Sequence, residues 1–259
     1  MVNKLTLRGL YAPLITPMHQ GSFDSASMKK LMMSMEDSVQ GYVPCLSSGE
    51  GAVLSPAQWE DAVSCTVEST KKPVIAGILK DSAEEIIAFA RKASKFGCAA
   101  VILAILKGSD EEIVNHFQRL SEEIELPIVL YNTEHSPLKS MSCVQELDQL
   151  GIAGIKDSSQ NIEFFRELID LKSKGKLCLA LLQGMEDQLY ESVGCDGFLI
   201  SLLNLEPELC AQMFQSPSKE LNTKILKLFS EYDLGIEDWY VSLKALLHAR
   251  GVIRSAERV

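Results

Sequence analysis

The sequence predicts a single (β/α)8 barrel with a short helical segment at its C-terminal end, and three observations support this fold class. The chain has 259 residues, a length that suits one large domain. Eight short apolar runs alternate with longer stretches in which apolar residues recur at helical spacing. The runs are nearly continuous in apolar residues, which is typical of parallel strands covered on both faces. Eight such strand–helix units within about 200 residues indicate a closed barrel.

The eight predicted strands are each five or six residues long. In chain order they cover residues 10–15, 42–46, 73–78, 99–104, 126–131, 152–156, 177–182 and 197–201. Amphipathic stretches that predict helices lie between them, at 25–40, 57–70, 83–96, 111–124 and 162–174. A doubly wound open sheet is the competing architecture. It is disfavoured because the sequence has neither the GxGxxG nor the GxxxxGKS turn that such sheets use to bind phosphates.

The pattern changes after the eighth strand. Residues 206–215, 219–232 and 239–249 are predicted as helices, and Pro217 and Gly235 mark breaks between them. We therefore expect a barrel domain over residues 1–215 and a helical appendage over residues 216–259.

Composition limits the possible partners and the compartment. The net charge is −10 and basic residues are not clustered, so a nucleic acid is not expected as a partner. No apolar run is long enough for a membrane span, and residues 1–8 lack the apolar core of a signal peptide. The seven cysteines form no CxxC pair or Cys/His cluster, which disfavours a zinc site and suggests reduced thiols. We expect a cytoplasmic protein without a metal.

A lysine at the end of the sixth predicted strand is the first candidate catalytic residue. Residues 154–159 read Gly-Ile-Lys-Asp-Ser-Ser, and Lys156 ends the apolar run. Burial makes an ammonium costly and favours the neutral amine, which can attack a carbonyl carbon and form a Schiff base. A surface lysine in a loop is the alternative interpretation of this segment alone.

Two further polar clusters follow predicted strands, at the end of the barrel where active sites lie. Ser47 and Ser48 follow the second strand and precede a glycine, a pattern that can bind a carboxylate or simply cap the next helix. Tyr131 ends the fifth strand, next to the strand of Lys156, where its hydroxyl could transfer protons or only fill the barrel mouth. His135 lies on the loop that follows.

Taken together and in this order, the three clusters resemble the dihydrodipicolinate synthase / N-acetylneuraminate lyase family. That family carries Gly-(Thr/Ser)-Thr-Gly-Glu, then Tyr-Asn-x-Pro, then Gly-(Ile/Val)-Lys-Asp-(Ser/Thr)-Ser. The corresponding segments here are residues 46–50, 131–134 and 154–159, and residues 16–17, 73–77 and 194–197 also match. Lys244 and Gly251 lie where the family has similar residues. The resemblance covers nearly the whole chain.

The resemblance implies a (β/α)8 barrel, usually a homotetramer, that requires no metal or organic cofactor. Lys156 would form the Schiff base with pyruvate or another 2-oxo acid, and Tyr131 would relay protons. Ser47 and Ser48 would hold the carboxylate of the 2-oxo acid. We expect a homo-oligomer, either a dimer or a tetramer.

The chain departs from the family pattern at the start of the serine turn and, more widely, on the side of the acceptor substrate. Leu46 replaces the first glycine, Glu134 replaces the proline, and residues 104–107 replace a Pro-Tyr-Tyr segment. Ser136 stands where the synthase branch has an arginine that binds the carboxylate of the aldehyde. Glu134, His135, Ser136 and Lys107 are therefore candidate acceptor contacts.

The sequence leaves three functions open. The first is a class I lyase or aldolase acting on a 2-oxo acid, with the acceptor unspecified. The second is a sugar-acid dehydratase of the same family, which uses the same lysine and differs in the group that leaves. The third is a degenerate relative that binds a 2-oxo acid without turnover.

Overall fold

The computed structural model describes residues 6–259, and its centre is a ring of eight parallel strands. In chain order the strands are β1 Gly9–Pro13, β2 Gly41–Val43, β3 Ile75–Ile78, β4 Ala100–Ala104, β5 Ile128–Thr133, β6 Gly154–Ser158, β7 Ala180–Gln183 and β8 Gly197–Phe198. They pair in the order β2-β1-β8-β7-β6-β5-β4-β3. A parallel bridge between Tyr42 and Val74 joins β2 to β3 and closes the ring. The predicted (β/α)8 barrel is confirmed. Residues 1–5, which the sequence analysis assigned to the barrel domain, lie outside the residues that the structure describes.

Helices surround the ring. They are α1 Ser25–Met35, α2 Pro56–Glu68, α3 Ala83–Phe96, α4 Asp110–Glu123, α5 Met141–Gln149, α6 Ile162–Ser173, α7 Pro207–Gln215, α8 Lys219–Glu231 and α9 Trp239–Ala249. Serine side chains cap the N-termini of α2, α3, α4 and α5, where they accept a backbone N–H that has no partner within the helix. The segment after β7 differs, since it forms two short 3-10 turns, Glu186–Gln188 and Tyr190–Ser192, in place of an α-helix.

The strands have apolar side chains on both faces, as their composition predicts. The barrel interior is filled by a cluster that includes Val43, Ile102, Val129 and Leu182, so the ring encloses a packed core. The junction of β2 and β3 depends on a glycine. A Cβ atom at Gly77 would lie 2.5 Å from the carbonyl oxygen of Cys45, so only glycine permits the close approach that closes the barrel.

The C-terminal helices pack against the β1–β8 side of the barrel. Ile225 of α8 and Leu243 and Leu247 of α9 belong to the same buried cluster as Leu10 of β1 and Phe198 of β8. The α9 helix contacts the turn after β2, and α8 contacts the first 3-10 turn after β7. This brings the C-terminal segment to the end of the barrel where the candidate catalytic residues lie. The division at residue 215 stays a prediction.

Residues 6–259 include no helix with the length and apolar content needed to cross a membrane.

Candidate active site

A cavity of about 600 Å³ lies at the C-terminal ends of the barrel strands. Its walls come from β5, β6, the turns after β2, β7 and β8, and the start of α9. The residues that the argument below uses are Ser47, Tyr131, Lys156, Glu186, Ser201 and Trp239. Because the strands are parallel, side chains far apart in the sequence meet at this single edge.

Lys156 and Tyr131 lie side by side in this cavity. They are direct partners in the parallel pairing of β5 with β6, as their positions at adjacent strand ends predicted. Lys156 is only 5% exposed, and its Nζ lies 4.1 Å from the centroid of the Tyr131 ring. Such a distance allows a cation–π interaction that holds the lysine side chain against the aromatic face.

Gly184 provides the space for the lysine side chain. It follows β7, the neighbour of β6 on the other side from β5. A Cβ atom at this position would lie 2.8 Å from Cε of Lys156 and 2.2 Å from Oγ of Ser158. Any side chain here would push the lysine out of its present position, so the glycine is a steric requirement of the site.

The two serines predicted to hold a carboxylate form the 3-10 turn after β2. Ser47 lines the cavity, and its hydroxyl donates a hydrogen bond to the Tyr131 hydroxyl at 3.2 Å. Ser48 is buried, and its hydroxyl pairs at 3.0 Å with the hydroxyl of Ser201, which also lines the cavity. Leu46, which stands in place of the family glycine, is fully buried in the barrel interior together with Tyr131.

A buried ion pair ties this turn to the C-terminal segment. Glu50 ends the turn with a left-handed backbone, at a φ of 54°. Its carboxylate accepts a hydrogen bond from Lys244 of α9 and another from the backbone N–H of Val259 at 3.1 Å. The Lys244 side chain is fully buried, and burial lowers the pKa of its amine, an effect that the Glu50 carboxylate opposes. Lys244 also donates to the carbonyl oxygen of Glu257 at 2.8 Å.

We expect Glu50→Gln to destabilise the protein by ~3 kcal/mol or more, because it leaves the Lys244 ammonium buried without its counter-charge. For a domain of this size, this corresponds to a fall in the melting temperature of roughly 6–12 °C. Thermal unfolding followed by circular dichroism would measure it. The change retains the size of the side chain, so a loss of charge, rather than a cavity, causes the effect.

Two variants serve as controls for this prediction. Glu50→Gln combined with Lys244→Met should regain much of the stability, since replacing both members of a buried pair with uncharged groups is often neutral. Glu123→Gln removes the exposed Glu123–Arg91 pair and should change the stability by less than ~1 kcal/mol. An unchanged melting temperature for Glu50→Gln alone would contradict the anchoring role of the pair.

Glu186 is a site residue that the sequence analysis missed. It lies in the first 3-10 turn after β7, lines the cavity, and is only 4% exposed. The backbone N–H of Leu202 donates to its Oε1 at 3.0 Å. Burial raises the pKa of Glu186, while this hydrogen bond and the positive charge of Lys156 oppose the shift. Its position just past the end of a barrel strand is the sequence signal that could have identified it.

Asp157, next to the candidate catalytic lysine, has a supporting position. It is fully buried, and its carboxylate accepts hydrogen bonds from Asn132 Nδ2 at 2.5 Å and from the backbone N–H of Ser159 at 3.2 Å. Burial raises its pKa, and these hydrogen bonds oppose the shift. Asn132 in turn accepts from the N–H of Leu138, so the network fixes the loops after β5 and β6.

The candidate acceptor contacts divide into two groups. Glu134 and His135 line the cavity, and Glu134 accepts a hydrogen bond from Nε2 of Gln160 at 2.9 Å. Lys107 and Ser136 are not among the residues that line it; the backbone N–H of Ser136 instead donates to the carbonyl oxygen of Thr133 at 3.2 Å. Trp239, at the start of α9, lines the cavity and was not predicted.

The fold and the family match place this protein in the class of Schiff-base-forming lyases and aldolases built on a (β/α)8 barrel. Within that class, the chain belongs to the dihydrodipicolinate synthetase family, whose model matches residues 6–258. The resemblance inferred from the three sequence motifs is thereby confirmed.

Similar proteins agree with this assignment. A 4-hydroxy-tetrahydrodipicolinate synthase of Nitrobacter hamburgensis is 28% identical over 258 residues, which cover 95% of this chain and 83% of that protein. The synthase of Parvibaculum lavamentivorans is 30% identical over 223 residues, or 79% of this chain and 73% of that protein. One similar solved structure is that of the chloride-inhibited dihydrodipicolinate synthase of Acinetobacter baumannii in complex with pyruvate. It superposes on this protein with a TM-score of 0.87 and is 27% identical in sequence. The superposition covers 98% of this chain and 92% of that chain.

Proposed function

We propose that this protein is an aldolase or lyase that forms a Schiff base between Lys156 and pyruvate or another 2-oxo acid. The observation that carries the proposal is the buried Lys156, which shares one cavity with the hydroxyls of Tyr131 and Ser47. The relatives named as synthases, and the pyruvate complex of the Acinetobacter baumannii protein, support pyruvate as the 2-oxo acid.

The reaction begins at the C2 keto group of the 2-oxo acid. The neutral amine of Lys156 attacks C2, and loss of water gives a protonated imine, which draws electrons from the adjacent carbon. Loss of a proton from C3 then forms an enamine, whose C3 attacks the aldehyde carbon of an acceptor while the aldehyde oxygen takes up a proton. Hydrolysis of the new imine releases a 4-hydroxy-2-oxo acid and regenerates the amine. The same steps in reverse cleave the carbon–carbon bond.

The hydroxyls of Ser47 and Tyr131 provide the path for these protons. They are hydrogen-bonded to each other at 3.2 Å, and the Tyr131 ring lies against the lysine amine. In this proposal Tyr131 transfers protons while the carbinolamine forms and loses water, a role that suits a hydroxyl held in position by its hydrogen bond with Ser47.

The carboxylate of the 2-oxo acid would bind at the serine turn. In our proposal Ser47 and Ser48 hold it through their hydroxyls and the backbone of the Ser47–Gly49 turn. The Ser48–Ser201 pair fixes one hydroxyl, and the Glu50–Lys244 pair fixes the end of the turn. Glu186 lines the same cavity as Lys156, so its carboxyl group would interact favourably with the positive charge of the protonated imine.

We further propose a cytoplasmic homo-oligomer. All seven cysteines are free thiols and five of them are buried, which supports a reducing compartment. The family resemblance supports a dimer or tetramer, although one similar structure is described as a monomeric dihydrodipicolinate synthase variant.

Trapping the imine with borohydride tests the proposed function. The protein would be incubated with pyruvate and sodium borohydride, digested, and analysed by mass spectrometry, with a sample lacking borohydride as the control. Because reduction converts the imine to a stable secondary amine, we expect pyruvate fixed on the peptide that contains Lys156. If neither pyruvate nor larger 2-oxo acids were fixed, the lysine would not be the nucleophile and the proposal would fail.

A further inference from the structure

The segment that follows β7 forms the wall of the cavity beside Lys156. It runs through Gly184 and Met185 into the two short 3-10 turns. Gly184, Met185 and Glu186 all line the cavity. The fit at the glycine is close, since a Cβ atom there would lie 2.8 Å from Cε of Lys156. The backbone course of this segment therefore decides how much space the lysine side chain has.

One buried side chain holds both ends of this segment. Gln183, the last residue of β7, is fully buried, and its Oε1 accepts hydrogen bonds from the backbone N–H of Gly184 at 2.8 Å and of Met185 at 2.9 Å. Its Nε2 donates to Oγ of Ser192, the last residue of the second turn, at 2.7 Å. The Ser192 hydroxyl donates in turn to the carbonyl oxygen of Gln188 at 2.7 Å. Because only the oxygen of an amide can accept from two N–H groups, these contacts also fix which way the amide points.

Gln183 is linked to the reacting lysine through the backbone. It is not among the described residues that line the cavity. Its direct partner in β6 is Asp157, the residue after Lys156, and the N–H of Gly184 also donates to the carbonyl oxygen of Asp157 at 2.7 Å. This N–H is therefore shared between the strand of the lysine and the glutamine side chain. A change at Gln183 would move Gly184 relative to Lys156.

We infer that Gln183 is a positioning residue for imine formation: it fixes the backbone of Gly184 and Met185, and through this wall it holds the amine of Lys156 in place without touching the substrate. The inference rests on the proposed function, since it concerns the attack of the lysine amine on the keto carbon. That attack requires one geometry of approach, and a misplacement of about 1 Å can slow such a step by about 10²-fold.

Gln183→Met tests this inference, because methionine has a similar length but makes none of the three hydrogen bonds of the amide. Rapid mixing with pyruvate, borohydride quenching at successive times and mass spectrometry give the rate constant of adduct formation on Lys156. At saturating pyruvate we expect this rate constant to fall about ten- to a hundredfold. The pyruvate concentration that gives half of the maximal rate should change less than about threefold, because the serine turn that would hold the carboxylate follows β2, three strands away.

This readout separates positioning from a general loss of stability. Unfolded molecules lower the final yield of adduct but do not change the rate constant of the folded molecules, and thermal unfolding of each variant would be followed by circular dichroism. A lower yield at an unchanged rate constant would overturn the inference. A higher half-saturating concentration of pyruvate at an unchanged rate constant would overturn it as well.

Gln40→Met is the matched control. Gln40 directly precedes β2, at the opposite end of the barrel, and its Oε1 accepts a hydrogen bond from the backbone N–H of Leu10 at 2.6 Å. The variant makes the same substitution and also removes a hydrogen bond to a strand, but away from the cavity. We expect its rate constant to stay within about twofold of that of the unchanged protein. An equal slowing in both glutamine variants would contradict a role specific to Gln183.

Ser192→Ala keeps the inference testable if Gln183→Met fails to fold. It removes only the partner of Nε2 and leaves both contacts of Oε1 in place. We expect it to slow adduct formation at saturating pyruvate by about threefold or more, in line with the loss of one hydrogen bond. In that case a smaller change would overturn the inference.

The unchanged protein separates failure of this inference from failure of the proposed function. If it fixes pyruvate on Lys156 and Gln183→Met fixes pyruvate at the same rate, only the role of Gln183 is wrong. If the unchanged protein fixes no 2-oxo acid, both are wrong.

Discussion

Lys156→Ala is expected to abolish trapping of pyruvate and to reduce turnover to background. The amine is the only group of this residue that can attack the keto carbon, and alanine offers no substitute. The fold should persist, because the lysine lines an existing cavity and its removal enlarges that cavity without leaving a buried charge of its own. The Glu186 carboxyl would lose the neighbouring positive charge that now opposes its pKa shift, so its pKa should rise further.

Lys80 offers a matched control for that variant. It follows β3 at the same end of the barrel, but it lies over the ring of Phe89, with its Nζ 5.3 Å from the ring centroid, and it does not line the cavity. Lys80→Ala should fix pyruvate as the unchanged protein does. Pyruvate fixed on another lysine in Lys156→Ala, with turnover retained, would show that the site has been assigned to the wrong residue.

The strands could be predicted because their apolar runs are short, regular and bounded by turn residues. All eight runs became barrel strands, although several begin or end two or three residues from the predicted limits; the run at 126–131, for example, became Ile128–Thr133. Helix α5, at Met141–Gln149, was not predicted. It has only nine residues, and its buried face consists of Cys143, Val144 and Leu147, too few for a clear helical period.

The inner half of the site could also be predicted, since it follows from strand order. Lys156 and Tyr131 were predicted at the ends of neighbouring strands; each lies two residues before the end of its strand, and the parallel pairing makes them direct partners. Glu186 could have been found in the same way, because it lies just past the end of β7, whereas Trp239 could not. Trp239 reaches the cavity because the C-terminal helices fold back over the barrel end. Such contacts depend on tertiary packing and leave no periodic signal in the sequence.

The Glu50–Lys244 pair illustrates the same limit. The sequence analysis placed both residues at positions shared with the family, but their separation of 194 residues hides the contact. In the structure this contact connects the turn that contains Ser47 and Ser48 to helix α9, which also carries Trp239. The C-terminal segment therefore contributes both a support for the serine turn and a wall of the cavity, even though it contributes no barrel strand.

Tyr131→Phe is expected to slow turnover by about 10²–10⁴-fold while pyruvate can still be fixed on Lys156. The phenylalanine ring retains the aromatic face that lies 4.1 Å from the lysine Nζ, so the amine should stay in place. What is lost is the hydroxyl that accepts a hydrogen bond from Ser47 and, in our proposal, transfers protons. Rapid mixing with pyruvate, followed by borohydride quenching at successive times, should show slower formation of the adduct and a similar final yield.

Tyr42→Phe makes the same chemical change on another barrel strand. The Tyr42 hydroxyl donates to the Glu36 carboxylate and lies 3.2 Å from the carbonyl oxygen of Met32, and the side chain belongs to the cluster between barrel and helices, away from the cavity. We expect Tyr42→Phe to cost stability, about 1.5–3 kcal/mol, and to leave the rate of adduct formation unchanged. A proton-transfer role requires a large effect on turnover. If Tyr131→Phe slowed turnover by less than about threefold, Tyr131 would instead be a packing residue that orients the lysine.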